Sequence, residues 1–205
     1  MGRFSTFFDS LFGRIHIEKD IVGSDSIHLL HISDTPSSIY PEIKRLIRVL
    51  NPDYIVHTGD VSDNIKVGLH PSYITRYKHE AKKMLKILDS SNAEKVFLSL
   101  GNHDKLDFVK KNCGRIKVIE DRELITIQGR KFAISHYSDF LKDIDADIYL
   151  YGHDLSIESQ TIDSRVYLNG ISAIHVITIP ELDITRLDYP QGTDSERLKR
   201  RKTKL

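Results

Sequence analysis

Five short apolar runs of strand type each stop at a side chain that can bind metal, and this pattern constrains the fold more than any other feature of the chain. Asp34 follows Ile27–Ile32, Asp60 follows Tyr54–His57, and Asn102, His103 and Asp104 follow Val96–Leu100. His136 follows Lys131–Ser135, and His153 follows Ile148–Tyr151. Polar residues placed for solubility would be scattered over both ends of the strands. In open α/β sheets ligands bind outside the carboxyl ends of the strands. Gly59, Gly101 and Gly152 stand directly before Asp60, Asn102 and His153, which allows tight turns and close backbone approach.

Four more runs, Leu124–Ile127, Arg165–Leu168, Ala173–Ile179 and Leu182–Leu187, read as strands from their Val/Ile/Tyr content and turn-type borders. Helical periodicity lies between the early strands. Pro41 suits a first helical position, Ile43, Leu46, Ile47 and Leu50 share a face, and Asn51-Pro52 stops the helix. A second helix opens at Pro71 with Tyr73, Tyr77, Ala81, Met84, Leu85 and Leu88 on one side. A short third is expected from Asp104 to Asn112, with Gly114 as its stop. Strand–helix–strand order followed by mostly strands predicts an α/β layered domain over residues 25–190. At 205 residues, 40% of them apolar, the chain can bury one full core.

The two ends differ from this body. Over residues 1–24, Phe4, Phe7, Phe8, Leu11, Phe12 and Ile15 form a one-sided helical stripe that leads into a joint near Gly23. That face is expected to pack on the body or on a partner protein or, alternatively, to lie in a membrane surface. Residues 191–205 carry six Lys/Arg against Asp194 and Glu196, a local +4 within a net charge of +1. This basic tail is expected to be disordered, with weak nucleic-acid contact through phosphates as the alternative. The single Cys113 excludes an internal disulfide and fits a reducing compartment. With no secretory pattern and no apolar stretch of spanning length, the expected location is cytoplasmic, with a peripheral membrane-surface location as the variant.

Aspartates, an asparagine and histidines make a mixed oxygen/nitrogen donor set suited to Mn²⁺, Fe or Zn²⁺ rather than Ca²⁺. No Walker loop, Cys–His pair or GxSxG elbow is present, so P-loop and serine-nucleophile chemistry have no support. Taken singly, each residue is weak evidence. Aspartate after a strand is usually a turn residue, and Asp63 reads equally well as a brace for its own loop. His28 and His175 within strands read as core or edge residues, and His79 as solvated. The joint order lifts the set above those readings.

Asp34-Thr35-Pro36, Gly59-Asp60-Val61-Ser62-Asp63, Gly101-Asn102-His103-Asp104, His136 and Gly152-His153-Asp154-Leu155 together resemble the calcineurin-like metallophosphoesterase superfamily. Its pattern runs DxH, GDxxD/N, GNHD/E, a lone His after a strand, then GHxH. The resemblance implies a four-layer αββα sandwich of two mixed β-sheets flanked by helices, with a centre for one or two divalent ions and a phosphate-ester substrate. It implies that Asp60 bridges the ions, that Asn102, His136 and His153 complete one site, and that Asp34 belongs to the other. It also implies that His103 faces the substrate, that Asp104 orients His103, and that Asp63 supports the set. Mn²⁺ is the ion expected first, with Fe, Zn²⁺ or Mg²⁺ as alternatives.

Two positions depart from the pattern. Where the family would place histidines that bind the same ion as Asp34, this chain has Pro36 and Leu155. Three outcomes are open. A second ion is held weakly by oxygen ligands; a nearby His31, His57 or His70 replaces the missing donors; or the centre has lost catalysis and the fold serves as a protein-interaction platform. The expectation carried forward is a metal-dependent phosphoesterase, acting on a phosphodiester or phosphomonoester, with one complete and one depleted site.

Overall fold

The computed structural model describes residues 14–17, 21–22 and 26–197. Eleven strands among these residues form two mixed sheets. The first contains β1 (Ile27–Ile32), β2 (Tyr54–His57), β3 (Lys95–Ser99), β4 (Lys117–Ile119), β10 (Ile174–Ile179) and β11 (Asp183–Leu187) in the order β11-β10-β1-β2-β3-β4. β1 to β4 are parallel neighbours, while β10 pairs antiparallel with β1 and with β11. The second has the order β5-β6-β7-β9-β8, with β5 (Arg122–Ile127), β6 (Arg130–Ser135), β7 (Ile148–Tyr151), β8 (Gln160–Ile162) and β9 (Arg165–Asn169). β6, β7 and β9 run parallel; β5 and β8 flank them antiparallel.

Successive side chains on a strand face opposite ways, and this splits the core into layers. Leu29, Val56 and Phe97 face the second sheet and pack with Phe132, Ile134, Ile148, Leu150 and Leu168. Their neighbours Leu30, Ile32, Ile55, Val96 and Leu98 face a helical layer. That layer is α1 (Tyr40–Leu50) and α2 (Ile74–Asp89), with Ile43, Leu46, Leu50, Tyr77, Met84 and Leu88 buried, plus Val109 of α3 (Leu106–Asn112). Pro41 lies in the first turn of α1, and Asn51 caps it in a left-handed conformation (φ 46°). The αββα layering is as expected. Outside the second sheet the covering layer is thin, a 3₁₀ turn at Ser138–Leu141 and adjoining loops over Tyr149 and Tyr151.

The ends differ from expectation where they are described. Residues 14–17 are not helical. Ile15 is buried in the helical layer, its N–H donates to Glu42 Oε1 (2.7 Å), and its carbonyl accepts from Arg45. Phe4, Phe7, Phe8, Leu11 and Phe12 lie outside the described residues. The expected disorder from residue 191 does not hold to 197, because Thr193–Arg197 forms α4 and Arg197 is buried. Local charge hid this, since Arg197 belongs to the run by composition and to the core by packing. No helix among the described residues is long and apolar enough to cross a membrane.

Candidate metal centre

β1, β2, β3, β6 and β7 end at one edge of the sandwich, and the loops after them carry Asp34, Asp60, Asn102–Asp104, His136 and His153. Pairing continues past the strand ends and fixes these loops. Asp34 N–H donates to Gly59 O (2.9 Å), Thr35 N–H to Asp60 O (3.1 Å), and Gly152 N–H to His136 O (3.1 Å). Asp34, Asp60 and His153 have left-handed backbones (φ 47°, 55° and 71°). Such conformations cost non-glycine residues about 1–2 kcal/mol each and collect at functional sites. Gly59 takes φ 103°, and a β-carbon there would come within 2.6 Å of His136 Nδ1.

His136 is the pivot. Its Nδ1 lies 2.6 Å from the Thr58 carbonyl, which can only accept, so Nδ1 carries the ring proton and Nε2 presents a lone pair. Nε2 faces Asn102 Oδ1 at 3.3 Å, His153 Nδ1 at 3.2 Å and Asp60 Oδ2 at 3.8 Å. Two ligands each about 2.1 Å from a common ion stand about 3.0–3.4 Å apart in tetrahedral or octahedral geometry. The spacings to Asn102 and His153 fit ligands that share a cation with His136. Asp34, Asp60 and His136 also offer donor atoms within 4.8 Å of one another. Asp60 and His136 form a buried floor, and Asn102 and His153 an exposed rim. Tyr137 packs edge-on against both imidazoles, with ring centroids 4.8 and 4.7 Å away.

Electrostatics point the same way. Burial, then repulsion from Asp104, Asp34 and Asp63, pushes Asp60 well above the usual carboxylate range. Burial and Asp34 push Asp63 up to about 6, against the pull of Lys66. Such a cluster gains from a cation.

The roles of other residues differ from those implied by resemblance. Asp104 does not orient His103. Its Oδ2 accepts the N–H of Asp60 (2.8 Å) and Gly101 (3.0 Å), and its Oδ1 that of Val61 (3.2 Å) and the Tyr77 hydroxyl (3.1 Å). It ties the second and third loops together. His103 is set by its own N–H, donated to Asp60 Oδ1 (2.8 Å), and by Gly68 N–H donated to its Nδ1 (3.3 Å). Burial and then Lys66 lower His103 to about 4. Asp63 does more than brace a loop, because it offers a donor atom within 4.8 Å of Asp60 and His103. His31, His57 and His70 do not replace the missing ligands. His57 has both nitrogens engaged, with Thr35 Oγ1 and Gly59 N–H. His31 bonds Thr58 and stacks on His175, and His70 packs on Tyr73.

Sequence reading passed over Lys66 and Arg197. Lys66 pairs with Asp63; it lies three positions further on, a spacing that would have paired them on a helix. Arg197 donates to the carbonyls of Asp34 (2.7 Å), Ile171 (2.7 Å) and Ser33 (3.2 Å), with its guanidinium 4.2 Å from the Tyr189 ring centre. Both line a cleft of about 240 Å³ together with Asp34, Asp60, Asp63, His103 and Leu155.

The model of the calcineurin-like phosphoesterase family matches residues 27–129, half of the chain. That span holds Asp34, Asp60, Asp63 and Asn102–Asp104, while His136 and His153 rest on geometry. Among solved structures, an archaeal phosphodiesterase is similar with a TM-score of 0.56 at 18% identity, over 78% of this chain and 98% of that one. The YfcE phosphoesterase from E. coli is similar with a TM-score of 0.54 at 13% identity, over 80% and 100%. At these identities the likeness is one of fold. No curated protein matches.

Proposed function

This chain belongs to the calcineurin-like phosphoesterase family, and we propose that it is a metal-dependent phosphoesterase with one complete and one depleted cation site. Asp60, Asn102, His136 and His153 hold one divalent ion, Mn²⁺ first among the candidates. Pro36 and Leu155 leave Asp34 as the remnant of the second site. The observation that carries the reading is the lone pair of His136 Nε2, around which Asn102 Oδ1, His153 Nδ1 and Asp60 Oδ2 all stand within 3.8 Å. A divalent ion in that position supplies a Lewis acid and lowers the pKa of water bound to it.

The chain's own groups supply the rest. Thr58 fixes the His136 tautomer, the kind of supporting bond that orients ligating histidines. His103 is neutral at pH 7, since it is lowered to about 4. Gly68 N–H occupies its Nδ1, so Nε2 carries the proton. His103 therefore acts on a leaving oxygen as a hydrogen-bond donor that polarises it, not as a fully charged acid. The exposed rim at Asn102 and His153 suits a phosphodiester or an exposed phosphomonoester.

The test is hydrolysis of bis-p-nitrophenyl phosphate by protein purified without chelator, with parallel measurement of bound metal. Wild type should turn over, stop after EDTA and recover with Mn²⁺. His136→Ala should lose Mn²⁺ affinity by at least the roughly 100-fold that loss of even a supporting partner costs. Metal-free, inactive wild type would remove this reading and favour an interaction platform, the alternative that the absent ligands at Pro36 and Leu155 keep open.

A further inference from the structure

We propose that the Lys66 ammonium is the second cation of this centre and binds a phosphoryl oxygen of the substrate, in the cleft where Leu155 stands in place of a ligand. The proposal rests on the phosphoesterase reading and deepens it.

Asp60, Asp63 and His103 offer donor atoms within 4.8 Å of one another, a set with the composition of a second metal site. The Lys66 ammonium is already bound to one member, Asp63, whose side chain is 2% exposed while that of Lys66 is 24% exposed. A divalent ion in that group would meet a fixed positive charge beside its own ligand, and like charges so close oppose each other strongly. Lys66 lines the same cleft as His103, the expected leaving-group residue, and as Asn102 and His153 of the complete metal site.

The other cation lining the cleft cannot take this role. The Arg197 guanidinium spends its donors on the carbonyls of Ser33, Asp34 and Ile171 and on Asp194. Lys66 is bound differently. An ammonium has three donors, and Asp63 takes one of them. A buried carboxylate as anchor keeps the long side chain in the cleft and reduces the rotamer entropy lost when an anion arrives. Lysine binds phosphate as a point charge, so it replaces the neutralisation a second ion would give while leaving the opposite face of phosphorus to the complete site.

Inorganic phosphate is the probe, titrated calorimetrically into metal-free and Mn²⁺-loaded forms of wild type, Lys66→Gln and Lys66→Arg, with bound Mn²⁺ counted in each. The expected result is one Mn²⁺ per chain in all three proteins. Phosphate affinity should fall about tenfold in Lys66→Gln, the loss of one charge-assisted contact, and be largely kept in Lys66→Arg. Equal phosphate affinity in wild type and Lys66→Gln, with one Mn²⁺ in each, overturns the Lys66 proposal and leaves the metal reading intact. Two Mn²⁺ in wild type also overturns it. Failure of wild type to bind Mn²⁺, with phosphate binding still dependent on Lys66, removes the metal reading and upholds Lys66. Absence of phosphate binding in every form also overturns the Lys66 proposal, and the Mn²⁺ count then decides the metal reading by itself.

Discussion

Asp104 accepts the backbone N–H of Asp60 at 2.8 Å, across 44 residues of sequence. The same carboxylate accepts from Val61, Gly101 and the Tyr77 hydroxyl, so it works as the strut between two site loops. Asp104→Ala leaves three backbone donors without a partner, and hydrogen bonds to charged groups are worth about 1.5–3 kcal/mol each. Metal-free protein carrying this change should lose about 3 kcal/mol or more in urea unfolding. Unchanged stability, with a rate loss confined to steps that use His103, would restore the orienting role.

Gly101 carries a second expectation. A β-carbon there would collide with the carboxyl group of Asp60 and lie 2.5 Å from the Asp60 nitrogen. Gly101→Ala must therefore move the aspartate on which both ligand groups depend. We expect Mn²⁺ affinity to drop by about 10–100-fold, the range seen when ligand-supporting contacts are lost, with the far-UV circular dichroism preserved. Calorimetric Mn²⁺ binding equal to wild type would show that the loop gives way freely.

His175 makes stability depend on pH. It is buried on β10, stacked on His31 at 5.5 Å, with its Nδ1 unbonded among the described residues. Burial, with Arg186 adding repulsion, lowers it to about 4; His31 is lowered too, by burial, His175 and His57. A histidine lowered in the folded state is bound more readily by protons when unfolded. Its contribution is whole above the unfolded value near 6.5 and drains away as pH falls toward 4. Between pH 7.5 and pH 5 the loss from His175 amounts to about 2 kcal/mol. Urea unfolding of metal-free His175→Phe should show a correspondingly smaller gap between those two pH values. An unaltered gap would mean that the imidazole does not resist protonation in the fold.

Arg197 is expected to matter for stability despite lying in a run of charge. Its guanidinium is buried and makes four bonds, to three carbonyls and to Asp194. Arg197→Ala strands those carbonyls and empties the face of Tyr189, for a loss of about 3–5 kcal/mol. Thermal unfolding is the measurement, and a melting temperature within about a degree of wild type would contradict the packing described.

The legible part of this molecule was the part written in short-range pattern. β1, β2 and β7 fall where alternation and turn borders predict them, because strands that end in ligands have sharp chemical borders. β4 and β8, three residues each, are too short for any period to register. Asp60, Asn102, His136 and His153 lie together because the strands before them deliver their carboxyl ends to one edge. The partners of Asp104 were hidden because they are backbone N–H groups, which every residue owns and no sequence distinguishes. Lys66 was hidden because its meaning depends on which carboxylate it reaches. Arg197 was hidden because composition averages a run in which one member alone turns inward.

The bond from Arg197 to the Asp34 carbonyl spans 163 residues, from the loop after the first strand to the last described helix. Closing a loop of that length spends chain entropy that the contact must repay. On the ribosome, the Asp34 turn waits unlatched until residue 197 has been synthesised.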